Sequence, residues 1–174
     1  AAYPWGVVEN SWQGPQLDLQ REDMGASRAI LEGWIPHDIF NEIITYTGFN
    51  YSALKEIALS ETFQPFAMRG LTFSTEIYND VEYISSHNLA ALQKGTKYPD
   101  EYLLFTAHWD HLGMLEGNPA EDLIMNGAVD NATGVSSLLE FGYRFSLNPP
   151  ERSIIYLFVT LEESGLLGSE YFAE

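Results

Sequence analysis

The 174-residue sequence has no cysteine, so disulfides, thiolate zinc sites, iron–sulfur clusters and cysteine nucleophiles are all excluded. Basic residues are also scarce. Eight Lys plus Arg stand against 25 Asp plus Glu, for a formal charge of −17. That balance argues against gripping a nucleic-acid backbone, which takes clustered cations, and against docking on anionic lipid. No apolar run approaches the ~18 residues of a membrane-spanning helix, so membrane insertion is not expected. The first residues, Ala1 to Gly6, lack a basic stretch and an apolar stretch, so they do not read as a signal peptide. Three catalytic signatures are missing too: the Gly-x-Ser-x-Gly elbow, the Gly-x-x-x-x-Gly-Lys phosphate loop and the Gly-x-Gly-x-x-Gly fingerprint. There is also no His-Glu-x-x-His helix.

What is present is an ordinary apolar share, 45% of residues, enough to build a core in a single domain. Residues 1–35 read as irregular, punctuated by Gly6, Gly14 and Pro15. Pro36 fits the first turn of a helix to about Tyr46, with Ile39, Ile43 and Ile44 on one face and Gly48 as a stop. A second short helix is expected from Ser52 to Leu59. Leu71–Tyr83 reads as strand-like, and Asn88–Gln93 as another apolar run. Tyr102–Ala107 and Ser153–Leu161 are continuous apolar runs, as expected of strands buried on both faces. Between them lie a loop carrying Gly and Pro to about Val129 and a helix from Thr133 to about Ser146. A further helix is expected from Gly165 onward. Strand, helix, strand, helix predicts an α/β fold with a mainly parallel twisted sheet flanked by helices.

Parallel sheets bind ligands at the carboxyl ends of their strands. Three polar clusters fall there. His108 and Asp110 close one apolar run, Asp130 sits between Gly127 and Gly134 at a helix start, and Glu162-Glu163 follows the second run. Each has two readings. His108 is either a satisfied core histidine or a ligand, with Asp110 able to hold its second ring nitrogen. Asp130 is either a helix N-cap or a ligand. Glu162 and Glu163 are either a polar strand exit or a pair with divided roles, one binding metal and one moving a proton.

Together, Ala107-His108-Trp109-Asp110-His111-Leu112-Gly113, Asn126 to Gly134 and Leu161 to Ser169 resemble the M28 family of zinc peptidases, the aminopeptidase and glutamate-carboxypeptidase group. Glu32-Gly33-Trp34-Ile35-Pro36 resembles the entry segment of bacterial members that carry an inserted protease-associated domain. The resemblance implies an α/β/α zinc-peptidase sandwich over residues 31–174, shortened at its C-terminus, with 1–30 as an irregular segment or the tail of an inserted domain. It implies that His108 and Glu163 each bind one zinc ion, Asp130 bridges two, Asp110 orients His108, and Glu162 is the general base. It also places a cis peptide at Asp130–Asn131. Two zinc ions per complete site are implied, acting on a peptide substrate, in a secreted, periplasmic or cell-surface protein.

The family completes its site with an Asp and a His downstream of the Glu pair, and no motif here supplies them. His111 belongs to the pattern around His108 and is not that missing ligand. An open sheet edge, completed by a second chain or a missing fragment, is therefore expected. The acidic composition favours an aminopeptidase, because a free N-terminal ammonium suits an acidic rim. A non-catalytic binding domain and a single-zinc acyltransferase of the glutaminyl-cyclase type are the alternatives.

Overall fold

A computed structural model describes residues 4–68, 70–114, 117, 118 and 120–174. Ala1, Ala2 and Tyr3 of the N-terminal stretch and Pro119 of the long loop lie outside the described residues. The chain divides into two compact units, Ala1–Pro15 with Glu22–Glu82, and Gln16–Arg21 with Tyr83–Glu174.

The first unit is helical. α1 (Trp5–Ser11) follows Pro4, whose φ of −60° suits a helix entry. This stretch was expected to be irregular. Its seven residues are too short for an apolar period to show. α2 (His37–Tyr46) starts after Pro36, and Gly48, at φ +80°, ends it. Ile44 is the buried member of its apolar face. α3 (Tyr51–Ala58) is capped by Asn50, whose Oδ1 accepts the Ala53 N–H at 3.0 Å. Leu71–Tyr83 forms no strand. Alternating apolar residues make a strand only where a neighbour completes the ladder, and among the described residues none pairs with this segment.

The second unit holds the sheet. β1 (Leu89–Gln93), β2 (Tyr98–His108) and β5 (Arg152–Val159) lie in the order β1-β5-β2. β2 runs parallel to β5 in a register that pairs His108 with Val159, whereas β1 runs antiparallel to β5. The sheet is thus mixed, with parallel strands joined through the long helix α4 (Thr133–Leu147). The short α5 (Leu167–Ala173) follows β5, so the fold is α/β with helices beside a partly parallel sheet. A two-residue hairpin, β3 (Gly113–Met114) with β4 (Ile124–Met125), interrupts the stretch expected to be loop.

β5 is central and buried, as its apolar run requires. Ile154, Tyr156 and Ala107 pack with Leu138 of α4, and Phe105, Val135, Phe145 and Phe158 close around them. β2 departs from the expectation of a strand buried on both faces. It lies at the edge of the sheet, and Leu103 and Leu104 are 46% and 50% exposed. Only its last residues, Ala107 and His108, are buried. An apolar run encodes a strand, but whether both faces are covered depends on neighbours that the run itself does not contain. No helix among the described residues is long and apolar enough to cross a membrane.

Candidate metal centre

The parallel pairing of β2 and β5 places both carboxyl ends at one edge of the sheet, and the polar residues gather there. His108 ends β2. Asp130 lies in a kinked turn, Ala128–Ala132, that enters α4 after Gly127, whose φ of +63° is left-handed. The Asp130–Asn131 peptide is cis. Glu162 and Glu163 lie in the loop after β5.

One donor atom each from His108, Asp130 and Glu163 falls within 4.8 Å of the other two. His108 Nε2 lies 2.9 Å from Asp130 Oδ1 and 3.8 Å from Glu162 Oε2. The other ring nitrogen, Nδ1, is 3.0 Å from the Asp110 carbonyl. A carbonyl only accepts, so Nδ1 carries the hydrogen. In the neutral ring, Nε2 then presents a lone pair to the Asp130 carboxylate. Two acceptors at 2.9 Å need a positive charge between them, either a proton or a metal ion. The His108 pKa reflects this. Burial works to lower it, but the Asp110 carbonyl and the carboxylates of Glu162, Asp130 and Asp110 outweigh burial and raise it above the usual 6.5. An imidazole nitrogen beside carboxylate oxygens is a donor set that suits zinc, so these residues fit a zinc ion.

Asp110 does two separate things. Its backbone carbonyl fixes the His108 ring, while its carboxylate Oδ1 lies 3.7 Å from Nδ1. Oδ2 accepts the backbone N–H of Glu163 at 3.4 Å, which ties the end of β2 to the loop after β5. Oδ1 itself is buried, with no hydrogen-bond partner among the described residues.

Asp130 does not cap α4. Its neighbour Asn131 takes that role, with Oδ1 accepting the Gly134 N–H at 3.1 Å. The Asp130 side chain is 67% exposed and is left facing His108. His111, set aside in the sequence, joins the cluster, with Nδ1 2.7 Å from Glu163 Oε1. Its three-residue distance from His108 at a strand exit was the available signal. Asn88, just before β1, bonds Thr160 and Gly168 on either side of the Glu162–Glu163 loop and carries no motif.

The sequence pattern of Peptidase family M28 matches residues 88–174, which contain every residue of this cluster. A probable zinc metalloprotease of Pyrenophora tritici-repentis is 34% identical over 87 residues, covering 49% of this chain and 19% of the relative. Aminopeptidase NAALADL1 of Rattus norvegicus is 30% identical over 111 residues, 60% of this chain and 13% of the relative. A vacuolar membrane protease of Vanderwaltozyma polyspora is 31% identical over 101 residues, 58% of this chain and 10% of the relative. The chain therefore spans less than a fifth of the length of these relatives. A family match across half the sequence, over the same strands and loops that assemble the cluster, shows that this chain belongs to peptidase family M28.

Proposed function

We propose that this chain contributes to the active site of a zinc-dependent exopeptidase of the aminopeptidase type. The observation that carries the proposal is the convergence of His108, Asp130 and Glu163 donor atoms within 4.8 Å at the carboxyl edge of the sheet. Zinc held by these three residues would supply Lewis acidity toward a peptide carbonyl and lower the pKa of water toward ~7.

The remaining roles belong to the chain's own groups. Glu162, whose Oε2 lies 3.8 Å from His108 Nε2, is the group that would accept a proton from water and return it to the leaving amine. Asp110 holds the His108 ring through its backbone carbonyl, and its carboxylate Oδ2 accepts the backbone N–H of Glu163. The acidic excess, 25 carboxylates against eight basic side chains, favours a substrate with a free N-terminal ammonium over one with an extra carboxylate. That the rat relative is named an aminopeptidase supports the same choice.

The test is hydrolysis of an aminoacyl p-nitroanilide by the full-length protein, compared with its N-acetylated form, before and after chelation. The proposal expects turnover of the free-amine substrate alone, lost with chelator and restored by zinc. Equal turnover of the blocked substrate would overturn the aminopeptidase assignment. Turnover unaffected by chelator would overturn the metal role. Zinc stoichiometry separates the alternatives: two ions per site suit the peptidase, one suits a glutaminyl-cyclase-like acyltransferase, and none suits a binding domain.

A further inference from the structure

The loop that carries Glu162 and Glu163 is bracketed by two leucines in an unfavourable backbone conformation. Leu161 has φ +54° and Leu166 has φ +64°. Left-handed backbone is uncommon for a residue with a Cβ, and it persists only where the surroundings impose it. Part of the hold is backbone: the Leu167 N–H donates to the Leu161 carbonyl and the Gly168 N–H to the Thr160 carbonyl, each at 3.1 Å. Asp110 Oδ2 adds the bond to the Glu163 N–H, and a further side chain, just before β1, holds both ends.

Asn88, immediately before β1, spans the base of this loop. Its Oδ1 accepts the Thr160 N–H at 3.0 Å, and its Nδ2 donates to the Gly168 carbonyl at 2.7 Å. Thr160 and Gly168 are both buried, so neither group finds water as a substitute partner. The fit is tight. A Cβ at Gly168 would collide with the Thr160 carbonyl and with Asn88 Oδ1. The residues beside Asn88 reinforce the arrangement. Ser86 Oγ and Thr160 Oγ1 are 2.7 Å apart. The His87 carbonyl accepts the indole N–H of Trp109, next to His108, at 3.2 Å. Residues 86–88 thus touch two of the three segments that carry the candidate ligands, the end of β2 and the loop after β5.

We propose that Asn88 is a positioning residue, which sets where Glu162 and Glu163 stand by clamping the two ends of their loop. It does not touch substrate or metal, and its effect on zinc rests on the metallopeptidase reading above. An amide is needed, because the site requires an acceptor and a donor on one short side chain. Asn88→Ala removes both. Asn88→Asp keeps the acceptor for the Thr160 N–H but turns a carboxylate toward the Gly168 carbonyl.

The experiment compares the metal-free wild-type chain with Asn88→Ala, Asn88→Asp and a control, Gln93→Ala. The control removes the acceptor for the Tyr156 hydroxyl at the other end of β1. Amide hydrogen exchange at Leu167 and Gly168 reads the clamp, and calorimetric titration with zinc reads its consequence. Asn88→Ala is expected to speed exchange at both amides and to weaken zinc binding by about tenfold or more. Asn88→Asp should fall between it and wild type, and Gln93→Ala should change neither readout by more than about twofold. Faster exchange with unchanged zinc affinity would overturn the positioning role, as would equal effects from Gln93→Ala. If the wild-type chain takes up no zinc, the reading of His108, Asp130 and Glu163 as a sufficient zinc site fails. The exchange data then decide the clamp alone, with wild-type rates in Asn88→Ala overturning it.

Discussion

Asn131 accepts the Gly134 N–H at 3.1 Å, and this frees its neighbour Asp130 to face His108. The two adjacent side chains therefore do different things: Asn131 bonds the first turn of α4 and Asp130 faces His108. Asp130→Ala should weaken zinc binding at least ~10-fold, by analogy with the loss of groups that support a metal site. Its unfolding free energy in urea should change by less than about 0.5 kcal/mol. Asn131→Ala should do the reverse, costing about 1 kcal/mol of stability through the lost cap. A titration and a urea melt on the two variants check both. Unchanged zinc affinity in Asp130→Ala would remove Asp130 from the site.

Glu162→Gln keeps the shape of the side chain and removes its basicity. In the active protein it should lower kcat by roughly 10²–10⁴-fold, the usual worth of a positioned acid–base group. KM and zinc content should stay near wild type. Steady-state kinetics with metal analysis on the same preparation measure this. A rate within a few-fold of wild type would assign the proton transfer elsewhere.

Tyr156 lies in the core with its hydroxyl donating to Gln93 Oε1 at 2.8 Å, and burial raises its pKa above the ordinary 10.0. Because the folded value is the higher one, the neutral phenol favours the fold. That contribution is fully present below about pH 10 and is lost as pH rises through the folded pKa. Urea unfolding across the alkaline range should show stability falling there. Tyr156→Phe, less stable at neutral pH, should show a shallower alkaline fall. Parallel curves for the two proteins would mean that another group governs alkaline unfolding.

Leu138 and Leu103 test the uneven cover of the sheet. Leu138 is buried against Ile154 and Tyr156, whereas Leu103 on β2 is 46% exposed. Leu138→Ala should cost about 3 kcal/mol, and Leu103→Ala less than about 1 kcal/mol, in chemical denaturation. Equal losses would indicate that β2 is covered in solution.

The elements that build the site were legible where an apolar run stops abruptly at polar residues. Ala107-His108 and Leu161-Glu162 are such stops, and both lie at the carboxyl ends of β2 and β5 or just beyond them. The α/β order followed from the alternation of runs and helices. What stayed hidden depended on partners distant in sequence. Leu103 and Leu104 read like core residues, and only the strand order places them at an edge. Phe73, Ile77 and Tyr78 have strand-like spacing but find no ladder among the described residues. The choice between capping and metal binding at Asp130 was undecidable from composition, because Asn131 satisfies the same preference one residue on. Asn88 looks like the first residue of an ordinary strand, and its two bonds to Thr160 and Gly168 appear only once β1 and β5 lie side by side.

His108, Asp130 and Glu163, the proposed ligands, come from the end of β2, the entry to α4 and the loop after β5, segments joined to one another only through the folded sheet and helix. An ion gripped by all three would act as a removable cross-link over the βαβ unit. Occupancy and folding would then be thermodynamically linked, with the melting temperature rising with the logarithm of free zinc once the concentration exceeds Kd.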